Sequence, residues 1–351
     1  MKTIQIDGRL IGEGHPTYIV AEAGVNHKGS LELAKQMIWE AAGAGADAIK
    51  FQSYKAETLV TRWAPRYWED DEPTGTQYAI FKRSDVFGER EYAILYDECR
   101  RAGITFLSTP FDLHFVDFLD ELGMPAFKVA SADLTNLPML RHIARKGKPI
   151  IMSTGASTLA EIHASVEAIR AEGNDQIILL HCVLSYPTPD EKANLLRIPA
   201  LAREFPEIPI GFSDHTVPED CVIVPTAAVA VGAQVIEKHY TLRRTWPGDD
   251  HYLSVDPQQL ATFVKNVRIV EKALGSPDLG VLDVEAGARQ YARRSIIARV
   301  DIPAGAVITE EMLIMKRPGT GISPMEIDRV VGRRAKVDIA EDSALIWDML
   351  E

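Results

Sequence analysis

Cysteine is scarce in this chain: Cys99, Cys182 and Cys221 are the only three among 351 residues, and their spacing matches no metal-binding motif. A disulfide framework and a structural zinc site are both poor explanations, and a reducing, cytoplasmic setting is expected. No apolar run of about 18 residues is present, which argues against a membrane span, and charge within the first residues argues against a signal peptide. Basic side chains are outnumbered, 38 to 50, for a formal net charge of −12. Such a field repels nucleic acid and anionic membranes, so any anionic ligand must be met by a local cluster of cations. Aromatic residues are only 7% of the chain, yet hydrophobic residues make up 46% and charged ones 25%. That balance belongs to a globular protein with a sizeable core, not to a disordered or fibrous one.

From Thr17 to about Leu274, short β-branched apolar runs alternate with stretches of helical period. Eight strands are expected: Tyr18 to Ala21, Ala48 to Phe51, Thr105 to Leu107, Ala126 to Val129, Pro149 to Met152, Gln176 to Leu180, Pro209 to Phe212 and Gln234 to Ile236. Between them, Thr158 with Glu161 reads as a capping box opening a helix that Gly173 ends, and Ser30 reads as the start of another. Eight βα units predict an α/β fold, a closed (β/α)8 TIM barrel with its site at the carboxyl ends of the strands. An open doubly wound sheet is the alternative. The segment from Thr58 to Gly88 exceeds an ordinary βα loop and is either a lid or surface elaboration. Past Gly275 the composition turns to Pro, Gly and Asp, a linker, and short β-rich runs come after it (Ser295 to Arg299, Val307 and Ile308, Ala335 to Ile339). The division predicted is a barrel over residues 1–285 and a small domain with its linker over 286–351, too small to be robust without docking on a barrel or a second chain.

Each expected strand ends in polar side chains: Glu22 and Asn26, Lys50 and Gln52, Ser108 and Thr109, Lys128 and Ser131, Ser153 and Thr154, His181 and Tyr186, Ser213 to His215, and Glu237 to His239. In a closed barrel these side chains converge on one mouth. Lys50 and Lys128 end otherwise apolar runs, so each ammonium needs a partner or a wet cavity. Flanked by the hydroxyls of Thr109, Ser131, Ser153 and Ser213, they suit a small phosphorylated carboxylate. Two alternatives stay open: salt bridges to barrel glutamates, and a lysine that forms a Schiff base with a carbonyl substrate. His215 and His239 lie beyond adjacent strands, and two imidazoles with open positions suit a substrate-bound Mn2+ or Mg2+ better than a closed zinc site.

A set of motifs carries a resemblance across nearly the whole chain: Ala21-Glu22-Ala23-Gly24-Val25-Asn26-His27, Lys50-Phe51-Gln52, Ser108-Thr109-Pro110-Phe111-Asp112, Phe127-Lys128-Val129-Ala130-Ser131 and Ser153-Thr154-Gly155. Ser213-Asp214-His215-Thr216, Glu237-Lys238-His239, Pro247-Gly248-Asp249-Asp250-His251 and Lys316-Arg317-Pro318-Gly319-Thr320-Gly321 continue it. The chain resembles the sialic acid synthase family, and its C-terminal part resembles the antifreeze-like β-clip (SAF) module of those enzymes. The resemblance implies condensation of phosphoenolpyruvate with an N-acyl hexosamine, N-acetylmannosamine in an N-acetylneuraminate synthase, or a related deoxy-diacetamido sugar in a legionaminate or pseudaminate synthase. It implies Glu22 as catalytic carboxylate, and Lys50, Thr109, Lys128, Ser131, Ser153 and Ser213 as phosphoenolpyruvate ligands. Gln52, Tyr186, Glu237, Asp250 and Arg317 would bind the sugar, and His215 and His239 would hold a divalent metal, Mn2+ first, then Mg2+ or Co2+. It further implies a domain-swapped homodimer in which Arg317 enters the partner's barrel. Asp133, where many relatives carry Glu, and Leu184, where some carry Asn, depart from the pattern and bear on which sugar is used.

Overall fold

The computed structural model describes residues 2–68, 75–248 and 250–351. Asp249 and part of the Thr58 to Gly88 segment lie outside the described residues. An antiparallel hairpin opens the chain, β1 (Ile4–Ile6) and β2 (Arg9–Ile11), paired Ile6 to Arg9 across a two-residue turn of Asp7 and Gly8. Both turn residues have positive φ, 48° and 81°, the conformation in which an Asp-Gly pair joins strands without splaying them.

The eight expected strands all form: β3 (Tyr18–Gly24), β4 (Ala48–Ser53), β5 (Thr105–Pro110), β6 (Phe127–Val129), β7 (Ile150–Ser153), β8 (Ile177–Cys182), β9 (Ile210–Asp214) and β10 (Val235–His239). They make one sheet in the order β5-β4-β3-β10-β9-β8-β7-β6, and every ladder in it is parallel. The two ends of that order, β5 and β6, are neighbours in space, so the sheet curls into a barrel rather than lying open. Strands covered on both faces bury nearly all their side chains, which is why they read as unbroken apolar runs.

Helices connect the strands. Leu31–Gly43 is capped by Ser30, whose side chain accepts from Leu33 N. Leu159–Arg170 starts at Thr158, where Thr158 N donates to Glu161 at 2.7 Å and Glu161 N donates back to Thr158 Oγ1 at 3.3 Å. These reciprocal bonds satisfy donors that a helix start otherwise leaves orphaned.

The chain divides into two compact units, Met1–Gly275 and Ser276–Glu351. The boundary therefore precedes the predicted one at 285/286. The turn Asp283–Glu285 packs on the helix Ala286–Tyr291, and Gly319 N of the second unit donates to Gln290 O of that helix at 2.8 Å, so the stretch before residue 286 groups with the second unit. In that unit β11 (Ser295–Ala298) pairs antiparallel with β12 (Leu313–Lys316), and isolated bridges such as Val307 to Arg334 and Ile302 to Ile339 extend the pattern. The unit has its own small apolar core, including Ile296, Ile308, Leu313, Val330 and Leu345.

Candidate active site at the barrel mouth

Strand alternation decides which side chains enter the barrel. On β10, Glu237 and His239 turn toward the other strand-end polar groups while Lys238 turns away. The Lys238 ammonium is instead buried against Asp214 Oδ2 at 2.9 Å and donates to Thr216 O at 2.6 Å. The same rule on β9 separates Ser213, which faces the mouth, from Asp214, which caps Thr216 N at 3.0 Å. On β4, Lys50 and Gln52 face the mouth and Phe51 packs against Phe106 in the core.

At the centre lies a buried network of two cations and two carboxylates. Lys50 Nζ stands 2.6 Å from Glu22 Oε2 and 3.8 Å from Glu237 Oε2, and it donates to Thr109 Oγ1 at 2.9 Å. Lys128 Nζ stands 3.7 Å from Glu237 Oε1 and donates to Val129 O at 3.0 Å. Ser213 Oγ donates to Glu237 Oε1 at 3.0 Å, and Gln52 Nε2 donates to Glu22 Oε1 at 2.9 Å. The salt-bridge alternative for both lysines is thus realised here, with Glu22 and Glu237 as the partners.

The two carboxyls are driven apart. Burial, helped by the Glu237 charge and opposed by Lys50, pushes Glu22 up to about 7. Burial also acts upward on Glu237, but Lys128, Lys50 and the Ser213 hydroxyl outweigh it and hold that carboxyl below its ordinary value. Burial lowers Lys128. A carboxyl raised to about 7 beside one held below its ordinary value is the arrangement expected of a proton-transfer group next to an electrostatic anchor.

A second cluster adjoins the first. The rings of His215 and His239 are 5.2 Å apart between centroids, and Tyr186 packs on His215 at 4.1 Å and meets His239 edge-on at 5.9 Å. His215 Nδ1 donates to Val183 O at 2.8 Å, which leaves Nε2 as the ring nitrogen outside that bond. Asp250 Oδ2 lies 3.4 Å from His239 Nδ1, a buried nitrogen that makes no hydrogen bond among the described residues. Burial and the surrounding cations hold His239 well below the ordinary imidazole value, hence neutral. Burial opposes charge on both His215 and Cys182, yet each favours the other's charge, so the imidazole is raised and the thiol lowered. Ser131 accepts from Gly155 N at 2.9 Å and flanks Cys182. A Cβ at Gly155 would come within 2.8 Å of Ser131 Oγ, so only glycine lets that backbone approach. Ser153 Oγ is buried with no hydrogen-bond partner among the described residues.

The barrel therefore brings together Glu22, Lys50, Gln52, Thr109, Lys128, Ser131, Ser153, Tyr186, Ser213, His215, Glu237, His239 and Asp250. Arg317 lies on the second unit, exposed on the turn after β12. Some strand-end residues turn elsewhere. Asn26 donates to Tyr240 O and Ser254 Oγ, and His181 binds Ala193 O at 2.7 Å on the outer face of β8. The inward residue of that pair is Cys182, which alternation from Leu180 would have identified. A separate depression of about 410 Å3, lined by residues such as Glu57, Arg62 and Tyr78, contains none of the converging side chains.

Residues 37–278 match the NeuB family and residues 293–351 match the SAF domain. The chain belongs to the NeuB family. It is 40% identical over 347 residues to the N,N'-diacetyllegionaminic acid synthase of Legionella pneumophila, covering 97% of this chain and 96% of that protein. It is 38% identical over 349 residues to the N-acetylneuraminate-9-phosphate synthase of Mus musculus, covering 98% and 95%. A crystal structure of the N-acetylneuraminic acid (sialic acid) synthetase of Leptospira borgpetersenii in complex with citrate shares 37% identity at a TM-score of 0.73, covering 82% of this chain and 94% of that one. The expected kinship with sialic acid synthases, barrel and antifreeze-like module included, is thereby established. Relatives named for different products match almost equally well, so the likeness identifies the enzyme family and not the sugar. Among the described residues no helix is long and apolar enough to cross a membrane.

Proposed function

We propose that this NeuB-family enzyme condenses phosphoenolpyruvate with an N-acyl hexosamine, N-acetylmannosamine foremost, to give a nine-carbon 3-deoxy-2-ketoacid and inorganic phosphate. The observation that carries the reading is the pairing of Lys50 and Lys128 with two buried carboxylates beside Thr109 and Ser213, next to a histidine pair. An incoming phosphorylated carboxylate would compete with Glu22 and Glu237 for these ammoniums, and Ser131 and the buried Ser153 hydroxyl would add donors. Gln52, Tyr186, Glu237 and Asp250 border the space left for the sugar, and Arg317 would close its far end.

Carbon 3 of phosphoenolpyruvate forms the new bond to C1 of the sugar aldehyde, whose oxygen takes a proton. Water then adds at the cationic C2 and loses a proton, giving a C2 hydroxyl; the C2–O bond to the bridging oxygen breaks as that hydroxyl becomes the 2-keto oxygen, and its proton leaves with the phosphate. Glu22, near neutrality in its pKa and bonded to Gln52 and Lys50, would receive or return the proton at the C2 water. Lys50 and Lys128 hold the phosphate as charge gathers on it. His215 and His239 fit a divalent cation, since one presents Nε2, the other is a neutral buried imidazole with an orphaned nitrogen, and the remaining positions are open for oxygen donors; Mn2+ suits them, as do Mg2+ and Co2+. The chemistry such a cation supplies when bound is polarisation of an aldehyde oxygen.

The decisive experiment mixes the protein, phosphoenolpyruvate and Mn2+ with a panel of N-acyl hexosamines that includes 2,4-diacetamido sugars, and reads phosphate release. Release that needs one of the sugars supports the reaction and identifies the sugar. Borohydride trapping of pyruvate on Lys50 or Lys128 would instead establish a Schiff-base aldolase.

A further inference from the structure

Thr216 follows His215, and one buried ion pair binds its backbone N, its backbone O and its hydroxyl. Asp214 Oδ1 accepts from Thr216 N at 3.0 Å, and Asp214 Oδ2 accepts from Thr216 Oγ1 at 3.0 Å. Lys238 Nζ donates to Thr216 O at 2.6 Å and stands 2.9 Å from Asp214 Oδ2. Both members of the pair are fully buried, and alternation aims them away from the mouth.

His215 lies inside this clamp. β9 ends at Asp214, and the ladder between β9 and β10 ends with Asp214 opposite Lys238, one residue short of the imidazole. His239, by contrast, is a residue of β10 and is paired in register with Glu22 of β3. A strand thus fixes one histidine, and the other stands beyond the end of one. The His215 ring is held by Val183 O, and its backbone by Thr188 N, which donates to His215 O at 2.9 Å, and by the turn that Asp214 closes on Thr216. Lys238 immediately precedes His239 and binds both Asp214 and Thr216, so it ties the turn around His215 to the strand of His239. The two imidazoles, 5.2 Å apart between centroids, are joined through the backbone by this tie. An apolar pair of similar size could fill the same space. It could not bind the polar atoms of Thr216.

We propose that Asp214 is a positioning residue for the histidine pair: by holding Thr216 N and Oγ1, with Lys238 as its anchor on β10, it sets where the His215 imidazole stands relative to His239. The inference rests on the proposed role of those histidines as holders of a divalent cation. A turn ordered before the cation arrives spares binding the entropic cost of ordering it, so the clamp raises affinity.

Calorimetric titration with Mn2+ alone tests this in two charge-neutral double variants, with folding checked by circular dichroism. Asp214→Leu with Lys238→Met removes every bond from the pair to Thr216. Asp214→Asn with Lys238→Met also removes both charges and the lysine, but its amide oxygen still accepts from Thr216 N. The first should bind Mn2+ at least about tenfold more weakly than the wild type, and the second should recover affinity to within about threefold of it. Wild-type affinity in the first, or equal losses in the two, overturns the assignment. Thr216→Val, which removes only the hydroxyl, decides where the first double variant fails to fold: a loss of about threefold is expected, and unchanged affinity overturns the proposal. A wild type that binds no Mn2+ overturns the histidine site itself and this inference with it, a result distinct from variants that bind as tightly as the wild type.

Discussion

The ammonium of Lys50 lies 2.6 Å from the carboxylate of Glu22, with both groups buried beneath the barrel mouth. An anion that takes Lys50 as its partner removes the main influence holding the Glu22 carboxyl down and adds negative charge beside it. Glu22 should then take up a proton. Calorimetry of phosphoenolpyruvate binding near pH 7.5 (about half a unit above the Glu22 value), in buffers of different ionisation enthalpy, should reveal proton uptake in the wild type and less of it in Glu22→Gln. Equal uptake in both proteins would exclude Glu22 as the acceptor.

The same carboxyl has a signature in stability. Its folded value of about 7 exceeds the ordinary 4.5. A raised folded pKa contributes stability that is fully present below the unfolded value and lost as pH rises through the folded one. Between about pH 5 and pH 8, the Tm of the wild type should therefore fall relative to that of Glu22→Gln, and differential scanning calorimetry across that range measures the gap. A gap that stays constant with pH would mean Glu22 is already ionised throughout.

Lys238 sits between two mouth residues in sequence but belongs to the scaffold. Its pair with Asp214 is fully buried, so Asp214→Ala would strand an ammonium in the interior and should cost about 3 to 5 kcal/mol in urea unfolding. Replacing both partners with apolar residues of similar size, Asp214→Leu with Lys238→Met, should recover most of that loss. Recovery would show that the pair is maintained by mutual compensation and not by a need for charge in the reaction.

The barrel is legible in the sequence because parallel strands buried on both faces read as β-branched runs, and the mouth is legible because Lys50, Lys128 and Glu237 interrupt such runs at their carboxyl ends. Alternation then separates Lys238 from His239 and Cys182 from His181, a step that the positions of strand ends alone do not supply. The N-terminal hairpin stands outside the alternation of apolar runs and helical stretches by which the barrel is read, although Asp7-Gly8 between Ile-Gln-Ile and Arg-Leu-Ile carries its turn signal. The strand Leu313–Lys316 is hidden because its partner Ser295–Ala298 is buried throughout while it exposes Ile314 and Lys316, so it lacks a buried apolar run.

Chelation separates a catalytic from a structural metal. His215 and His239 belong to a barrel whose core is apolar and independent of them, so removing a bound cation should abolish phosphate release while the far-ultraviolet circular dichroism stays unchanged. Added Mn2+ should restore activity. His215→Ala should weaken Mn2+ binding, measured by calorimetry, by at least about tenfold, since one of two protein ligands is lost. Unfolding on chelation would identify a structural ion instead, and wild-type affinity in His215→Ala would remove His215 from the site.

Arg317 stands on a turn that its own unit braces: Ser295 Oγ donates to Pro318 O at 2.6 Å and accepts from Gly321 N at 2.8 Å, while Gly319 N donates to Gln290 O at 2.8 Å. Such bracing fixes the backbone from which the exposed Arg317 guanidinium projects. If the chain forms the domain-swapped homodimer that the family resemblance implies, Arg317 would meet the sugar in the partner's barrel, and each active site would take Glu22 from one chain and Arg317 from the other. Glu22→Ala and Arg317→Ala homodimers should then both be nearly inactive. After subunit exchange, half of the dimers in an equal mixture are mixed, and each of these holds one intact site of two, so activity should return to about a quarter of the wild-type value. Exchange demonstrated by native mass spectrometry without any return of activity would place Arg317 in cis or outside the reaction altogether.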